Sequence, residues 1–390
     1  MDITEVSFHY PPTSWGGAES YAHQIGVGLK GAGHRVRVVT SSRSPKGSRK
    51  YNVHGLKVGA YPTAYRFPAS VITRTWNPVA WFRNYGKGAV AHVHNVVGFS
   101  PLIFRALRRG HTATVWTAHD PTYMCGARML PRDGSKCQGI GSRKCKGCEN
   151  SLDRLRRSMV RRHLLPNVDA LVPTSLWMRG LMVDAGFPKE KMTVITNGID
   201  MKNIPRSRVP KEPVIMFCGR VEPSKGLIDA LDAYEIVLED VPDASFNVVG
   251  DGPQLVDARK YAKARGLPRV MFTGRVPSAN PYYKEARVVI LPSIIPENCS
   301  LVLLEAHAFG RPSVCTRVGG NIEIVHPGET GLMTDPGDPA DMACQLIKVL
   351  SSISEANRMG RNARVRAERH FKMELKVQDH TRLFNRLVEK

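Results

Sequence analysis

The chain has 390 residues, 42% of them apolar and 23% charged, with a formal net charge of +22. That length exceeds what one core usually holds and predicts two domains, while the ordinary composition excludes a disordered or fibrous chain. No run of about 18 apolar residues occurs, which excludes a membrane-spanning helix, and the opening MDITEVSFHYPP has no basic stretch of the kind a signal peptide carries.

The charge is uneven. Residues 1–200 carry 29 Lys and Arg against 11 Asp and Glu, a net of +18, and residues 201–390 carry 27 against 23, a net of +4. A basic half attracts phosphates, anionic lipid headgroups or nucleic acid, and otherwise serves solubility. Nothing reads as a recognition helix, an RNA-binding sheet signature or a histidine zinc finger, so nucleic acid is not expected as a partner.

Residues 3–8 read as a strand, PPTSWGGAES as a glycine-bearing loop, residues 20–30 as a helix and RVRVVT as the next strand, a βαβ start. In that loop Gly16 and Gly17 let the backbone approach a ligand at a helix start, although a plain turn explains them equally. Residues 66–87 mix Trp76, Trp81 and Phe82 with arginines. Strands follow at 89–96, where His92 and His94 share a face and read as structural, and at 113–119, which ends on His119. Four cysteines, Cys125, Cys137, Cys145 and Cys148, then fall in a Gly-, Lys- and Arg-rich stretch with spacing C-x11-C-x7-C-x2-C. Four thiolates of this kind suit a structural zinc, with disulfides, free thiols and an iron–sulfur cluster as the alternatives. In residues 151–165, Arg154, Arg156, Arg157, Arg161 and Arg162 recur beside apolar residues at helical spacing, a basic amphipathic helix suited to an anionic bilayer surface or to ordinary packing with a solvated basic face. Strands are predicted again at 170–175 and 192–198, and the Pro- and Asn-rich residues 197–213 read as a linker.

A second alternation starts at VIMFCGR (214–220). Its loop, Gly219 to Gly226, carries Arg220 and Lys225, two cations able to hold a diphosphate from two sides, or else a solvated pair. A helix over 226–240, a strand ending at Gly250-Asp251-Gly252-Pro253 and a helix over 254–266 follow. VMFTGRV ends on Gly274-Arg275-Val276-Pro277, a candidate border for a base; VVILPS and PSVCTR complete the strands. Between those two, PENCSLVLLEAHAFG carries Glu297 just before a helix start and Glu305 inside the helix. Eight residues bring side chains back to one face, where two carboxylates can accept from the hydroxyls of one ligand. A capping Glu and a solvated Glu are the plainer alternative. Residues 374–390 read as a polar helix. Cys218, Cys299, Cys315 and Cys344 read as free thiols of a reducing compartment.

The set GRVEPSKG, VVGDGP, FTGRV, LPS and PENCSLVLLEAHAFGRPSVCTRVGGNIEIV, with YPPTSWGGAE, VHNV and TAHD in the first half, resembles a family 4 glycosyltransferase over essentially the whole chain. The resemblance implies an α/β fold of two doubly wound Rossmann-like domains facing a central cleft (GT-B), and retention of configuration. The expected domains are 1–200, with its cysteine-rich insert at 125–148, then 201–373, then a helix at 374–390 that crosses back to the first. The implied catalytic set is His119, Glu297, Arg220 and Lys225. Arg220 and Lys225 hold the diphosphate, Glu297 the sugar hydroxyls and Glu305 the ribose, with Gly16 and Gly17 near the donor. Val276, Asn298, Cys299, Ser300 and Leu301 complete the donor contacts. The expected substrate is a UDP- or GDP-sugar, the acceptor a lipid-linked or cell-surface glycan precursor, and no catalytic metal is needed. The expected location is cytoplasmic, at the inner face of the membrane. Rival readings are a nucleotide-sugar epimerase or phosphorylase of the same fold, and a non-enzymatic protein binding polyanions or membranes.

Overall fold

The computed structural model describes residues 1–12, 16–42, 49–62, 88–95, 103–121, 124–125, 155, 158 and 161–389. These divide into two units, Met1–Gly198 with Met373–Lys390, and Ile199–Lys372.

The first unit begins with β1 (Asp2–Val6), α1 (Gly17–Gly31) and β2 (Arg35–Ser42), then β3 (Arg49–Val53) and β4 (Leu56–Pro62), then β5 (Gly88–Val93), α2 (Ile103–Gly110), β6 (His111–Ala118), β7 (Ala170–Pro173) and α3 (Leu176–Asp184). The strands form one sheet in the order β3-β4-β2-β1-β5-β6-β7, parallel except for β3. Ile3 stands opposite both Val36 and Val90, which places β1 in the middle. Parallel strands covered on both faces are mostly apolar; all four residues of β7 and the last four of β1 are buried, Thr4 and Glu5 being the polar exceptions. The hairpin β3-β4 was not expected from the sequence. It turns at His54-Gly55, both with positive φ (+45° and +80°), the geometry that two-residue hairpins require.

Residues 192–198, predicted as a strand, run alongside β7 without forming a ladder. Met192 makes a single bridge to Leu171, and the N–H groups of Thr193 and Ile195 donate to the carbonyls of Leu171 and Pro173. The segment then leaves for the second unit.

That unit contains β8 (Val214–Cys218), α4 (Leu227–Asp240), β9 (Ser245–Val249), α5 (Leu255–Ala264), β10 (Val270–Gly274), α6 (Asn280–Glu285), β11 (Val288–Leu291), α7 (Leu301–Ala308), β12 (Ser313–Thr316), α8 (Asn321–Ile324), β13 (Gly331–Thr334), α9 (Pro339–Leu350) and α10 (Ile353–His370). Its strands are all parallel, in the order β10-β9-β8-β11-β12-β13. Counted within the unit this is 3-2-1-4-5-6, the Rossmann order. One face packs Phe217, Phe246 and Ile290 against α4 and α9, and the other packs Met216, Val289 and Leu291 against α7. The helix starts carry their own caps. Ser352 accepts from the Glu355 N–H and Asp338 from the Asp341 N–H, with Pro339 at the first helical turn.

The last helix, α11 (Met373–Val388), belongs to the first unit. Val377, Leu383 and Phe384 join Ile3, Ile25, Leu29 and Val115 in one core. Gly28 of α1 makes the approach possible: a Cβ there would lie 2.5 Å from Val377 Cγ2.

Candidate functional site

In the second unit the strand order reverses between β8 and β11, and ligands of such sheets bind outside the carboxyl ends at that reversal. The loops there are locked together through backbone. Gly226 (φ +66°) lies so close to the β11 loop that a Cβ would sit 2.1 Å from the Pro292 carbonyl oxygen, and the Ile294 N–H donates to the Ser224 carbonyl at 2.9 Å. A Cβ on Gly250 would meet the Gly219 carbonyl at 1.9 Å, so the β8 and β9 loops also touch backbone to backbone. The carbonyl of Glu297 accepts from the Gly320 N–H at 2.7 Å, and Gly319 (φ +56°) leaves room for it.

On this scaffold the Lys225 ammonium donates to Glu297 Oε1 at 2.6 Å, and the Ser293 hydroxyl donates to the same oxygen at 2.5 Å. Both ends of the ion pair are largely shielded, with side-chain exposures of 24% and 15%. Arg220 is open, 70% exposed, with its Nε 3.3 Å from Glu222 Oε2; the other oxygen of Glu222 accepts from the Ser224 hydroxyl at 2.8 Å. The crevice thus holds two cations, each facing one carboxylate. Glu305 has a separate partner: the Tyr283 hydroxyl, brought in by α6, donates to it at 2.8 Å. Burial raises the Glu305 carboxyl against the lowering effect of that bond. Burial, with Glu305 nearby, pushes the Cys218 thiol up to about 12.

In the first unit, polar side chains gather where β1, β5 and β6 run side by side. Glu5 is 1% exposed. It meets His92 Nδ1 at 3.1 Å through Oε1 and His94 Nε2 at 2.6 Å through Oε2. The far side of His92 meets the Thr117 hydroxyl at 2.8 Å, and the far side of His94 meets His119 Nε2 at 3.0 Å. The rings of His94 and His119 are stacked, 5.3 Å apart and 18° from parallel. His380 of α11 lies 4.7 Å from the His92 ring, and its Nε2 is 3.3 Å from the Tyr21 hydroxyl. Burial alone would raise the Glu5 carboxyl, but His92 and His94 hold it down to about 2. Burial and the neighbouring imidazole of His92 lower His94 to about 4, and burial with His94 and His92 keeps His119 well below its ordinary value. Glu5, His92 and His94 are a possible metal-ligand set by type. Their spacing argues otherwise: ligands each about 2 Å from a tetrahedral ion stand roughly 3.3 Å apart, and 2.6 Å between Glu5 and His94 is a hydrogen bond.

Two family descriptions match the chain: "Glycosyltransferase Family 4" over residues 15–203 and "Glycosyl transferases group 1" over residues 212–352. The chain belongs to the family 4 glycosyltransferases. Among its relatives is the glycogen synthase of Mycobacterium tuberculosis, 29% identical over 95% of this chain and 91% of that one. Its fold is that of solved GT-B enzymes. Sucrose-phosphate synthase of Thermosynechococcus elongatus superposes with a TM-score of 0.76 at 23% identity, covering 99% and 98% of the two chains. Anabaena HepE, solved with UDP and glucose, superposes with 0.75 at 18% identity, covering 98% and 99%.

Within this glycosyltransferase, Lys225 and Glu297 are in contact, Arg220 lies on the same β8 loop beside Glu222, and Glu305 sits two turns on with Tyr283. Asn298, Cys299 and Ser300 are buried between Glu297 and α7, while Leu301 is half-buried at its start. Val276 is half-buried after β10 and packs against the α7 face of the sheet. In the first unit Gly16 and Gly17 are exposed at the start of α1, where Glu19 folds back over Gly16 and accepts from Asn95 Nδ2 at 3.3 Å. Sequence reading missed Glu5, Glu222, Ser293, Tyr283 and the Gly319-Gly320 pair. The glycine pair alone carried a usable signal, two adjacent glycines in the loop that follows β12. Cys125 is buried, and Cys137, Cys145 and Cys148 lie outside the described residues, as do Trp76, Trp81, Phe82, Arg154, Arg156 and Arg157. Arg161 is half-buried over the Phe187 ring, 5.5 Å from its centroid, and Arg162 is exposed. Among the described residues no helix is long and apolar enough to cross a membrane.

Proposed function

We propose that this enzyme transfers a sugar, with retention of configuration, from a nucleoside diphosphate sugar to an acceptor hydroxyl. The observation that carries the reading is the Lys225–Glu297 pair at 2.6 Å, placed where the Rossmann strand order reverses. Without ligand, Glu297 and Glu222 sit on the cations that a diphosphate would use. When the donor enters, its phosphate oxygens replace those carboxylates on Lys225 and Arg220 through charge-assisted bonds. Glu297, released from Lys225, accepts from the sugar hydroxyls, and Glu305 accepts from the ribose. His119, from the family resemblance, makes a polar contact to the sugar.

In the transfer, the bond from the anomeric carbon to the phosphate oxygen breaks, and the acceptor oxygen bonds to the same face. The departing phosphate takes the acceptor's proton. The protein's share is positioning and stabilisation of the phosphate charge by Lys225 and Arg220, which leaves no step that calls for a catalytic metal. UDP is the nucleotide supported by the Anabaena neighbour, whose solved complexes hold UDP and UDP-glucose. The net charge of +18 on residues 1–200 supports an anionic membrane surface and a lipid-linked acceptor. Stronger sedimentation with acidic than with neutral vesicles is the expected result, and equal binding sinks that part. A structural zinc rests on the cysteine spacing alone; metal-free protein after reducing purification refutes it.

The central test has two arms. A panel of UDP-, GDP- and ADP-sugars should raise the melting temperature for one base only. Alanine at Arg220, Lys225 or Glu297 should each lower transfer by well over tenfold. A near-normal rate in any of the three removes that residue from the site.

A further inference from the structure

Three elements of the second unit meet at Glu305: β8 brings Cys218, α6 brings Tyr283, and α7 carries the glutamate itself. Tyr283 is fully buried and held on two sides. Its ring stacks on Phe309, 5.2 Å between centroids and 9° from parallel, and its carbonyl accepts from Arg311 Nε at 2.8 Å. Arg311, itself 1% exposed, also donates to the Lys284 carbonyl, the Arg208 carbonyl and the Ser207 hydroxyl, which pins α6 in place.

A phenol has one proton to give. The Val302 carbonyl stands 3.5 Å from the Tyr283 oxygen, too far for a good bond, and Glu305 Oε2 stands at 2.8 Å, so the proton goes to the carboxylate. The Cys218 thiol is bonded to the same hydroxyl. Burial pushes that thiol up to about 12, so it keeps its own proton at neutral pH and donates to the phenol oxygen. The half-buried Glu305 then has Oε2 engaged, and its Oε1 has no partner among the described residues. The two carboxylates of the crevice thus have different holders. Glu297 rests on the Lys225 ammonium, which a phosphate can take over. Glu305 rests on a buried neutral phenol, which a phosphate cannot.

We infer that Tyr283 is a positioning residue for donor binding: by holding Oε2 of Glu305 it presents Oε1, before the donor arrives, as a bare acceptor for the adjacent hydroxyls of the ribose. The inference rests on the reading of Glu305 as the ribose contact, while the hold of Tyr283 on Glu305 stands on the geometry of the second unit. The titratable groups that act on Glu305 are Tyr283 from α6 and Cys218 from β8. Burial raises the Glu305 carboxyl and the Tyr283 bond opposes that rise, because a hydrogen bond to the charged form favours it. Without the phenol proton, Glu305 takes up a proton at higher pH and ceases to be a pure acceptor.

The variant is Tyr283→Phe, which keeps the ring stack and removes one hydroxyl. Two measurements on the whole chain test it. The first follows the 13C-labelled glutamate carboxyls of the ligand-free protein against pH, Glu305 being assigned by its loss in Glu305→Gln. The Glu305 midpoint should lie higher in Tyr283→Phe than in wild type; an unmoved midpoint in the folded variant overturns the inference. The second compares binding of a nucleoside diphosphate (UDP, GDP or ADP, whichever raises the melting temperature) with that of its 2′,3′-dideoxy analogue. Ionisation of the phosphates is common to both ligands and cancels in the ratio. Wild type should prefer the ribose form about tenfold. Tyr283→Phe should prefer it less than threefold near pH 6 and regain part of the preference at pH 8. Equal weakening of both ligands at every pH marks a merely structural role and also overturns the inference. If wild type binds the two ligands alike while the Glu305 midpoint moves as stated, the ribose reading fails, and the donor-binding role with it, but the hold of Tyr283 on Glu305 stands.

Discussion

Gly226 bears directly on the pair that carries the functional reading, because it sits next to Lys225 in the left-handed region and a methyl there would strike the Pro292 carbonyl at 2.1 Å. Gly226→Ala must therefore push the β8 loop off the β11 loop and draw Lys225 away from Glu297. Gly266 makes the control: it has nearly the same φ (+64°), but nothing lies within 4 Å of its Cβ position. Both substitutions carry the backbone cost, about 1 kcal/mol. Only Gly226→Ala should also abolish the melting shift given by the nucleotide sugar; equal shifts in the two variants would show that loop contact is irrelevant to donor binding. At this scale the sequence was readable where a residue's chemistry was unusual for its surroundings. Arg220 and Lys225 stood out on a glycine loop, and Glu297 and Glu305 in an apolar run. Glu222 did not, since a glutamate between two cations looks solvated. Glu5 did not either, since its partners His92 and His94 are 87 and 89 residues away.

At the scale of elements, β1, β5 and β6 each deliver part of the buried histidine cluster, and this makes the first unit sensitive to acid. The sign follows from linkage. His94 falls from its ordinary 6.5 to about 4 on folding, so its contribution is complete above pH 6.5 and is lost as pH falls toward 4. Glu5 falls from 4.5 to about 2, so its share is complete above 4.5 and is lost toward 2. Urea midpoints should therefore fall steadily from pH 6.5 to pH 4, and His94→Phe, although less stable at pH 7, should lose less over that interval. A parallel decline in both would mean that His94 does not titrate on unfolding. The elements themselves were legible to different degrees. Strands β8 to β12 of the second unit are short apolar runs, most of them followed by glycine or proline, and they emerged from the sequence; β13 (Gly331–Thr334) did not. The hairpin β3-β4 was overlooked because its two strands are half-exposed and its turn is His54-Gly55 in place of a commoner Asn-Gly. Residues 192–198 read as an apolar strand, but along β7 they make only the Met192–Leu171 bridge and two backbone bonds and form no ladder.

On the scale of the whole molecule, chain order and unit membership part company at residue 373. Helix α11 follows the second unit in sequence and completes the first in space, through Val377, Leu383 and Phe384 in its core, the His380–Tyr21 contact, and the His34–Thr381 contact at 3.1 Å. Burying Met373, Val377, Leu383 and Phe384 is worth about 1.5–3 kcal/mol each. Their sum is comparable to the 5–15 kcal/mol that holds a typical domain together. A chain ending at Lys372 keeps every element of the second unit and loses this support from the first. Limited proteolysis should then leave a resistant fragment near residues 199–372 while residues 1–198 are cut quickly, and the melting curve should lose one of its components. The glycine at position 28 sharpens the argument, since it admits Val377 at a distance that no side chain would allow. Gly28→Val in the full chain should reproduce the truncation in milder form, lowering the stability of the first unit and leaving the second unchanged. If truncated and full-length chains resist protease equally over residues 1–198, the core of the first unit is closed by β1, α1 and β6 alone, and α11 is an accessory to it.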